Sequence, residues 1–320
     1  MKVPIRTKTH NKNVKPRKEK AMTEFLMKPK IDFAFKEIMM DEKARIGFLS
    51  AVLNIEPEEI KETQILNTSL RKEHADDKQG ILDVRLLMNN DAEIDIEIQL
   101  SELNVWADRS LFYLSKMFIE QIKPGESYRV FKKCVSVSIL DFDLFRKETE
   151  FYSCFHLRED TRGILYTDKM EFHVIELPKL PKEQKEDCSI LELWAKFISA
   201  EKKEEFDMVA SKNPYIESAY EKLRVISQDR EKRIEYEARE KAIRDYNEGL
   251  YEAEERGEQR GIQIGEQRGI QIGEQRGIQI GEQRMNKLYG VLLQEKRYED
   301  LERSTKDEEF RGQLMSEYGI

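Results

Sequence analysis

Cysteine is scarce in this chain, with three in 320 residues at positions 134, 154 and 188. An odd number at wide spacing gives no disulfide framework and points to reduced thiols, best read as buried small hydrophobes in an intracellular protein. The four histidines, at 10, 74, 156 and 173, form no metal-ligand spacing. No apolar run approaches the ~18 residues of a membrane span, and the N-terminus lacks a secretory apolar core. A soluble cytoplasmic protein without a membrane partner is expected. Positive charge is also short overall, because the net charge of -8 leaves room only for a local basic patch and not a general nucleic-acid footprint. No helix-turn-helix, zinc finger or second acidic triad is recognisable, so a transposase that joins strands finds no independent support.

What is present in quantity is charge. Charged residues make up 37% and hydrophobic ones 39%, which is polar for a globular enzyme, so part of the chain lies outside a compact core. At about 150 residues per domain the length allows two units, or one domain with an extension.

The most regular stretch runs from Gly80 to Leu100, GILDVRLLMNNDAEIDIEIQL. Leu82, Val84, Leu86 and Met88 alternate with Ile81, Asp83, Arg85 and Leu87. Ile94, Ile96, Ile98 and Leu100 alternate with Glu93, Asp95, Glu97 and Gln99. Period-two alternation on both sides of Asn89, Asn90 and Asp91 describes a β-hairpin. Directly opposed residues point to the same face, so the polar faces coincide only when paired positions sum to an even number. Asp83 opposite Glu97 meets that condition and leaves a three-residue loop at 89–91. A slip by two would place Asp95 or Gln99 there instead. Carboxylates as close as direct partners, about 4.5–5.5 Å between Cβ atoms, repel unless a cation lies between them. One reading is a solvated face of an edge hairpin. The other is a divalent metal site, and it explains why acids, which strands disfavour, line a face backed by so regular a core.

Residues 1–30 carry ten Lys or Arg against Glu19 and Glu24. They describe a flexible basic tail to residue 27, suited either to phosphate attraction or to solubility alone. Phe33, Phe35, Ile38 and Met39, then Ile46, Phe48, Leu49 and Val52, predict two short helices or one interrupted near Asp41, with a stop at 54–57. Asp32 and Lys36 lie four apart on one helical face, the spacing of an ordinary helix ion pair. A strand is expected at 63–70, and a charged loop at 71–77. Asn104 is placed as the cap of a helix to about Ile122, buried through Val105, Leu111, Phe112, Leu114, Met117, Phe118 and Ile122. Its more polar side holds Arg109, Tyr113 and Lys116. Strands follow at 130–143, 151–157, 163–166 and 171–177, giving a mixed α/β domain with helices on each face.

Pro178 to Pro181 and the charged run to Asp187 mark a boundary. Ile190 to Ile198 reads as an amphipathic helix, and 215–251 as a long charged helix packing through Leu223, Ile226, Ile234 and Ile243. Residues 257–280 are three exact copies of GEQRGIQI, and glycine recurs every fourth residue from 257 to 281. Each glycine costs a helix about 1 kcal/mol relative to alanine. A lone helix is therefore doubtful, and two readings stand: close helix-helix packing that assembles an oligomer, or a flexible spacer. The organisation is thus a tail (1–27), a core domain (28–180), a helical extension (181–256), a repeat arm (257–284) and a C-terminal helical segment (285–320).

Asp83, Glu97 and Gln99 form D-x13-E-x-Q, two carboxylates that can hold Mg²⁺ together with a backbone carbonyl and waters. Hydrolysis of a phosphodiester follows from such a site. IDFAFKEIM, ILDVRLL, IDIEIQL, DRSLFYLSKMFIEQIKPGESY and VSILDF, in that order, resemble the PD-(D/E)XK nuclease family transposases, also called recombination-promoting nucleases. The resemblance covers roughly Lys28 to Leu180, and the Trp194 helix, Ser227 to Asp229 and the glycine arm are similar to that family's C-terminal region. It implies a restriction-endonuclease-like α/β fold, a mixed sheet flanked by helices and followed by a helical extension. It further implies DNA cleavage dependent on Mg²⁺, or Mn²⁺ in its place, and a role in recombination. Asp83 and Glu97 would be the two metal-binding acids. Gln99 stands where the wider superfamily has Lys, and a neutral amide cannot serve as a Lys would. Lys36 or Arg109 are candidates for the missing cation and Asp32 for a further acid. An inactive nuclease fold that binds DNA or self-associates through its arm is the alternative.

Overall fold

The computed structural model describes residues 25–70, 82–102, 104–181 and 187–320. The basic tail up to residue 24 and the charged loop at 71–77 lie outside the described residues. Met27, placed in the tail by composition, is fully buried, and its N–H donates to Ser227 Oγ at 3.0 Å.

Helix α1 (Asp32–Met39) buries Phe35, Ile38 and Met39, and α2 (Glu42–Leu53) follows at once. The break near Asp41 is a helix boundary because Asp41 caps α2, its Oδ1 accepting from Ala44 N at 2.8 Å. Asn54 in the left-handed region ends it. Strand β1 (Thr63–Ile65) is shorter than its apolar run. It pairs with β2 (Val84–Met88), which pairs antiparallel with β3 (Ala92–Gln99). Val84 faces Ile96 and Met88 faces Ala92, the even-sum register that aligns Asp83 with Glu97. Asn89 and Asn90 close the loop with φ of 51° and 54°, a conformation asparagine tolerates better than most residues.

Helix α3 (Trp106–Glu120) leads to β4 (Lys133–Leu140), which lies parallel to β3. Strands β5 (Tyr152–Arg158) and β6 (Leu165–Glu176) complete the order β1-β2-β3-β4-β6-β5. The two strands expected at 163–166 and 171–177 are thus one. β3 is central and its side chains are buried on both faces as far as Ile98, which overturns the reading of a solvated edge hairpin. Ile94, Ile96 and Ile98 share a core with Val135, Val137 and Ile139 and with α1 and α2.

Helix α3 covers the opposite, acidic face, and its buried stripe differs from the expected one. Trp106, Tyr113, Leu114 and Met117 are buried, while Val105, Leu111 and Phe112 are exposed. Nor is Asn104 the cap, since Val105 holds that position without a side-chain bond. The buried acids explain the rotation. Turning the Arg109 and Tyr113 side inward supplies donors that an aliphatic stripe would not.

Helices α4 (Ile190–Ser199), α5 (Lys203–Ala210) and α6 (Pro214–Gln228) belong to the same core as α1 and α2, with Trp194, Phe197, Phe206 and Leu223 fully buried. Gly47 lets α2 and α6 approach, because a Cβ there would lie 2.1 Å from Tyr215 Cβ. Gly47→Ala is expected to cost about 1–3 kcal/mol through overpacking, seen as an earlier urea midpoint with an unchanged slope.

Helix α7 (Arg230–Gln294) begins in this first compact unit, which ends at Ile243. In this unit it buries Tyr236 and leaves Ile234 exposed, with Ile243 partly buried against the same core. The second unit, Arg244–Ile320, holds the rest of α7, α8 (Tyr298–Lys306) and α9 (Glu308–Glu317), with a small core at Leu288, Leu292 and Leu314. The glycine repeat is helical, not a structureless spacer, and a Cβ on any of its glycines would meet no other atom within 4 Å. Among the described residues no helix is long and apolar enough to cross a membrane.

Candidate active site

The hairpin register sets the site. Asp83, just before β2, and Glu97 of β3 exchange bonds across the strand pair. Asp83 N donates to Glu97 Oε1 at 2.9 Å, and Ile98 N donates to Asp83 Oδ2 at 3.0 Å. Each backbone N–H therefore fixes one carboxylate. Burial pushes Asp83 up to about 6, and the Asp32 charge adds to the shift. Burial and then the Asp83 charge push Glu97 up to about 8.

The acids along β3 are solved differently. Glu93 is paired, with Arg85 Nε donating to its Oε1 at 2.5 Å and the same guanidinium reaching Glu120 at 3.1 Å. Asp95 is wholly buried, and neither of its oxygens has a hydrogen-bond partner. Burial first, then Glu97 and Asp83, hold its carboxyl well above the ordinary range. Such an orphan is costly unless protonated or supplied with a partner.

Arg109 comes down from α3. Its Nη2 lies 3.4 Å from Glu97 Oε2, its Nε donates to Tyr113 Oη at 3.1 Å, and it rests 5.3 Å from the Trp106 ring centre. Asp32, the first residue of α1, joins from another side and adds negative charge that both Asp83 and Glu97 feel. Gln99, at the end of β3, donates from Nε2 to Ser101 O at 2.9 Å. Lys36 is exposed on α1. Asp32 pairs with Arg239 and not with Lys36, Nε donating to Oδ1 at 2.8 Å. The structure thus gathers Asp83, Glu97, Asp32 and Arg109, keeps Gln99 at the strand end, and does not bring Lys36 in.

Three features had no strong sequence signal. Arg239 sits in a charged helix where nothing but the neighbouring buried Tyr236 marks an inward face. Ser136 and Ser138 of β4 stand beside Asp95 and Glu97 in the parallel register, and both are buried. On the other face of the sheet, Glu171 accepts from His156 Nε2 at 2.7 Å and Lys133 Nζ at 2.8 Å. Cys154, expected as a buried hydrophobe, is exposed beside them.

A family model described as PD-(D/E)XK nuclease family transposase matches residues 29–253. The chain belongs to that family. No curated protein and no solved structure gave a significant match. Membership in the PD-(D/E)XK nuclease family transposases is carried by residues 29–253, which take in the helices after Pro181 and the N-terminal part of α7, and the mixed sheet flanked by helices is consistent with the family's fold. A nuclease- or transposase-related function follows.

Nucleases of this family type use divalent metals, and the residues present fit one. Among the described residues no three His, Cys, Asp or Glu are gathered closely enough to enclose an ion. Mg²⁺, however, is commonly held by one or two carboxylates and keeps several waters. Asp83 and Glu97 are such a pair, the donors are all oxygen, and the orphaned carboxylate of Asp95 lies on the same face of the same strand.

Proposed function

We propose that this protein is a DNA endonuclease dependent on Mg²⁺, with Mn²⁺ able to substitute, which hydrolyses phosphodiester bonds and promotes recombination or DNA mobility in the cytoplasm. The supporting observation is the buried Asp83–Glu97 pair, fixed by two backbone N–H groups and faced by Arg109. Asp83 and Glu97 hold the ion. When bound, it supplies a water of lowered pKa and positive charge against the phosphodiester transition state. Arg109 orients Glu97 and offers a guanidinium to phosphate. Asp32 is the additional acid, and Gln99 orients water as donor and acceptor without taking its proton. Lys36, exposed on α1, contributes at most long-range attraction for the DNA backbone.

The test is cleavage of plasmid DNA in Mg²⁺ and Mn²⁺ by wild type and Asp83→Ala side by side. Metal-dependent nicks or ends from wild type alone support the reading, and no cutting at any protein concentration overturns it. One observation favours an inactive DNA-binding module instead: Gln99, in place of Lys, commits one of its two amide N–H donors to Ser101 O. Calorimetric titration with Mn²⁺ separates the two, since a module without catalysis has no need to bind it.

The arm is proposed to join copies of the chain. Exposed Ile262, Ile264, Ile270 and Ile272 recur with the glycines, whose missing side chains let a second helix approach. Gly261→Ala, Gly265→Ala and Gly269→Ala together should raise helicity, by about 1 kcal/mol of helix stability each. If the arm packs on a second copy through these glycines, light scattering of the triple variant will show a smaller assembly. An unchanged mass with higher helicity would rule the packing out.

A further inference from the structure

Arg239 lies 140 residues beyond Gln99 in the chain, yet it enters the acidic site. The first turns of α7 are fixed to the first unit independently of it. Tyr236 is buried, its hydroxyl accepts from Lys28 N at 3.2 Å, Phe25 packs on its ring edge, Arg233 covers Phe25 at 4.2 Å, and Lys232 pairs with Glu37. One turn on from Tyr236, Arg239 meets Asp32 as a fork, Nε to Oδ1 at 2.8 Å and Nη2 to Oδ2 at 2.5 Å. The anchoring of α7 therefore does not need this ion pair. The Arg239 side chain remains half exposed, 52% open against 19% for Asp32. Two contacts use only two of its five N–H donors.

The location makes the exposure meaningful. Arg239 on α7 and Arg109 on α3 both bring positive charge to Asp83, and Arg109 also reaches Glu97 at 3.4 Å, so guanidinium groups from two different helices serve the acids. Polyanion approaching three carboxylates needs cations at the mouth, and the strand position that would hold Lys is Gln99. A guanidinium fork matches phosphate as well as it matches carboxylate.

We infer that Arg239 is a DNA-phosphate ligand of this site, presented by Asp32 and able to pass its fork from that carboxylate to a backbone phosphate. The inference rests on the nuclease reading for its substrate, although binding is scored separately from cutting. Asp32 then serves as a placeholder for the phosphate in the free protein.

The experiment measures affinity of the full-length chain for a fluorescent DNA duplex in EDTA over a range of NaCl, with wild type, Arg239→Ala, Arg239→Lys, Asp32→Asn and Lys241→Ala. Arg239→Ala should weaken binding roughly tenfold and lower the slope of log K against log salt by about one phosphate contact. Arg239→Lys should keep the slope and recover part of the affinity. Asp32→Asn should tighten binding, because it frees the fork. Weaker binding from Asp32→Asn to the same degree as from Arg239→Ala would make the pair a strut and overturn the inference, as would an equal drop from Lys241→Ala, an exposed cation on the same helix. Thermal melting of each variant checks that α7 stays docked, and Arg239→Lys keeps the test valid if Arg239→Ala does not fold. Wild type that binds and cuts DNA while Arg239→Ala binds with an unchanged slope defeats this inference alone. Wild type that binds but never cuts defeats the nuclease reading alone, and wild type that binds no DNA defeats both.

Discussion

Asp83→Ala and Glu97→Ala should each lower plasmid cleavage by a factor on the order of 10³ or more, the cost expected when a principal source of charge stabilisation leaves an active site. The same variants should fold. Removing Asp83 takes away the charge that helps push Glu97 up to about 8, so the remaining carboxylate loses a repulsive neighbour. Melting temperatures should therefore be unchanged or higher in the absence of metal. Glu97→Gln is the sharper form of the test, because it keeps shape and retains an acceptor for Asp83 N. DNA binding without metal should survive in all three, since positive groups and not these acids attract the backbone. Cleavage at wild-type rates by Asp83→Ala or Glu97→Ala would remove these residues from the mechanism.

The hairpin is legible in the sequence because its information is local. Alternation of period two and the turn at the two Asn residues narrow the register to even-sum pairings within 21 residues, and of these the one with Val84 facing Ile96 is found. What alternation does not carry is depth. The acids of β3 are buried because β4 and α3 arrive from elsewhere in the chain, and nothing within 93–99 distinguishes a covered acidic face from a wet one. Helix α3 misleads for a related reason. Counting apolar residues selects Val105, Leu111 and Phe112, but the acids beneath the helix favour the side that carries Arg109, whose guanidinium reaches Glu97 and Tyr113 Oη, while Trp106 packs against Leu140, Phe142 and Val174. Asp32 is visible as an acid four residues before Lys36, and its true partner is not, because Arg239 is brought there by tertiary packing of Tyr236. The glycine repeat is unfavourable for a lone helix on propensity, a weak local preference, and the chain is helical there nonetheless.

Without divalent metal, the protein should lose stability as pH rises from about 5 to 8.5, and Mg²⁺ or Mn²⁺ should restore most of that loss at the upper end and little at the lower. Asp83 and Glu97 have folded-state values raised to about 6 and about 8. A carboxyl raised in this way holds its proton in the fold at a pH where the unfolded chain has released it. The folded state therefore binds more protons between the ordinary carboxylate range and about 8, and the slope of stability against pH is negative across that window. Asp95, held well above the ordinary range in the same direction, adds to the slope. Glu171, whose bonds to His173, Lys133 and His156 outweigh burial and bring it down to about 2, has the opposite sign. Its contribution is complete above the ordinary carboxylate range and fades only as pH falls through about 2, so the two windows do not overlap. Each tenfold difference in proton affinity between the folded and unfolded chain corresponds to about 1.4 kcal/mol, and one kcal/mol moves the midpoint of a domain this size by about 2–4 °C. Between pH 5 and 8.5 the two carboxyls together account for about four such tenfold differences, so a fall on the order of 10–20 °C is expected. A divalent ion binds the ionised pair and competes with its protons, so its stabilising effect should grow with pH. Differential scanning calorimetry at pH 5 and 8.5, with and without metal, reads both effects on wild type and on the double variant Asp83→Asn, Glu97→Gln. The double variant should show a flatter profile and little metal response. An equal metal response at the two pH values, or a midpoint that rises with pH in metal-free wild type, would show that the Asp83–Glu97 pair is not the group that binds the ion.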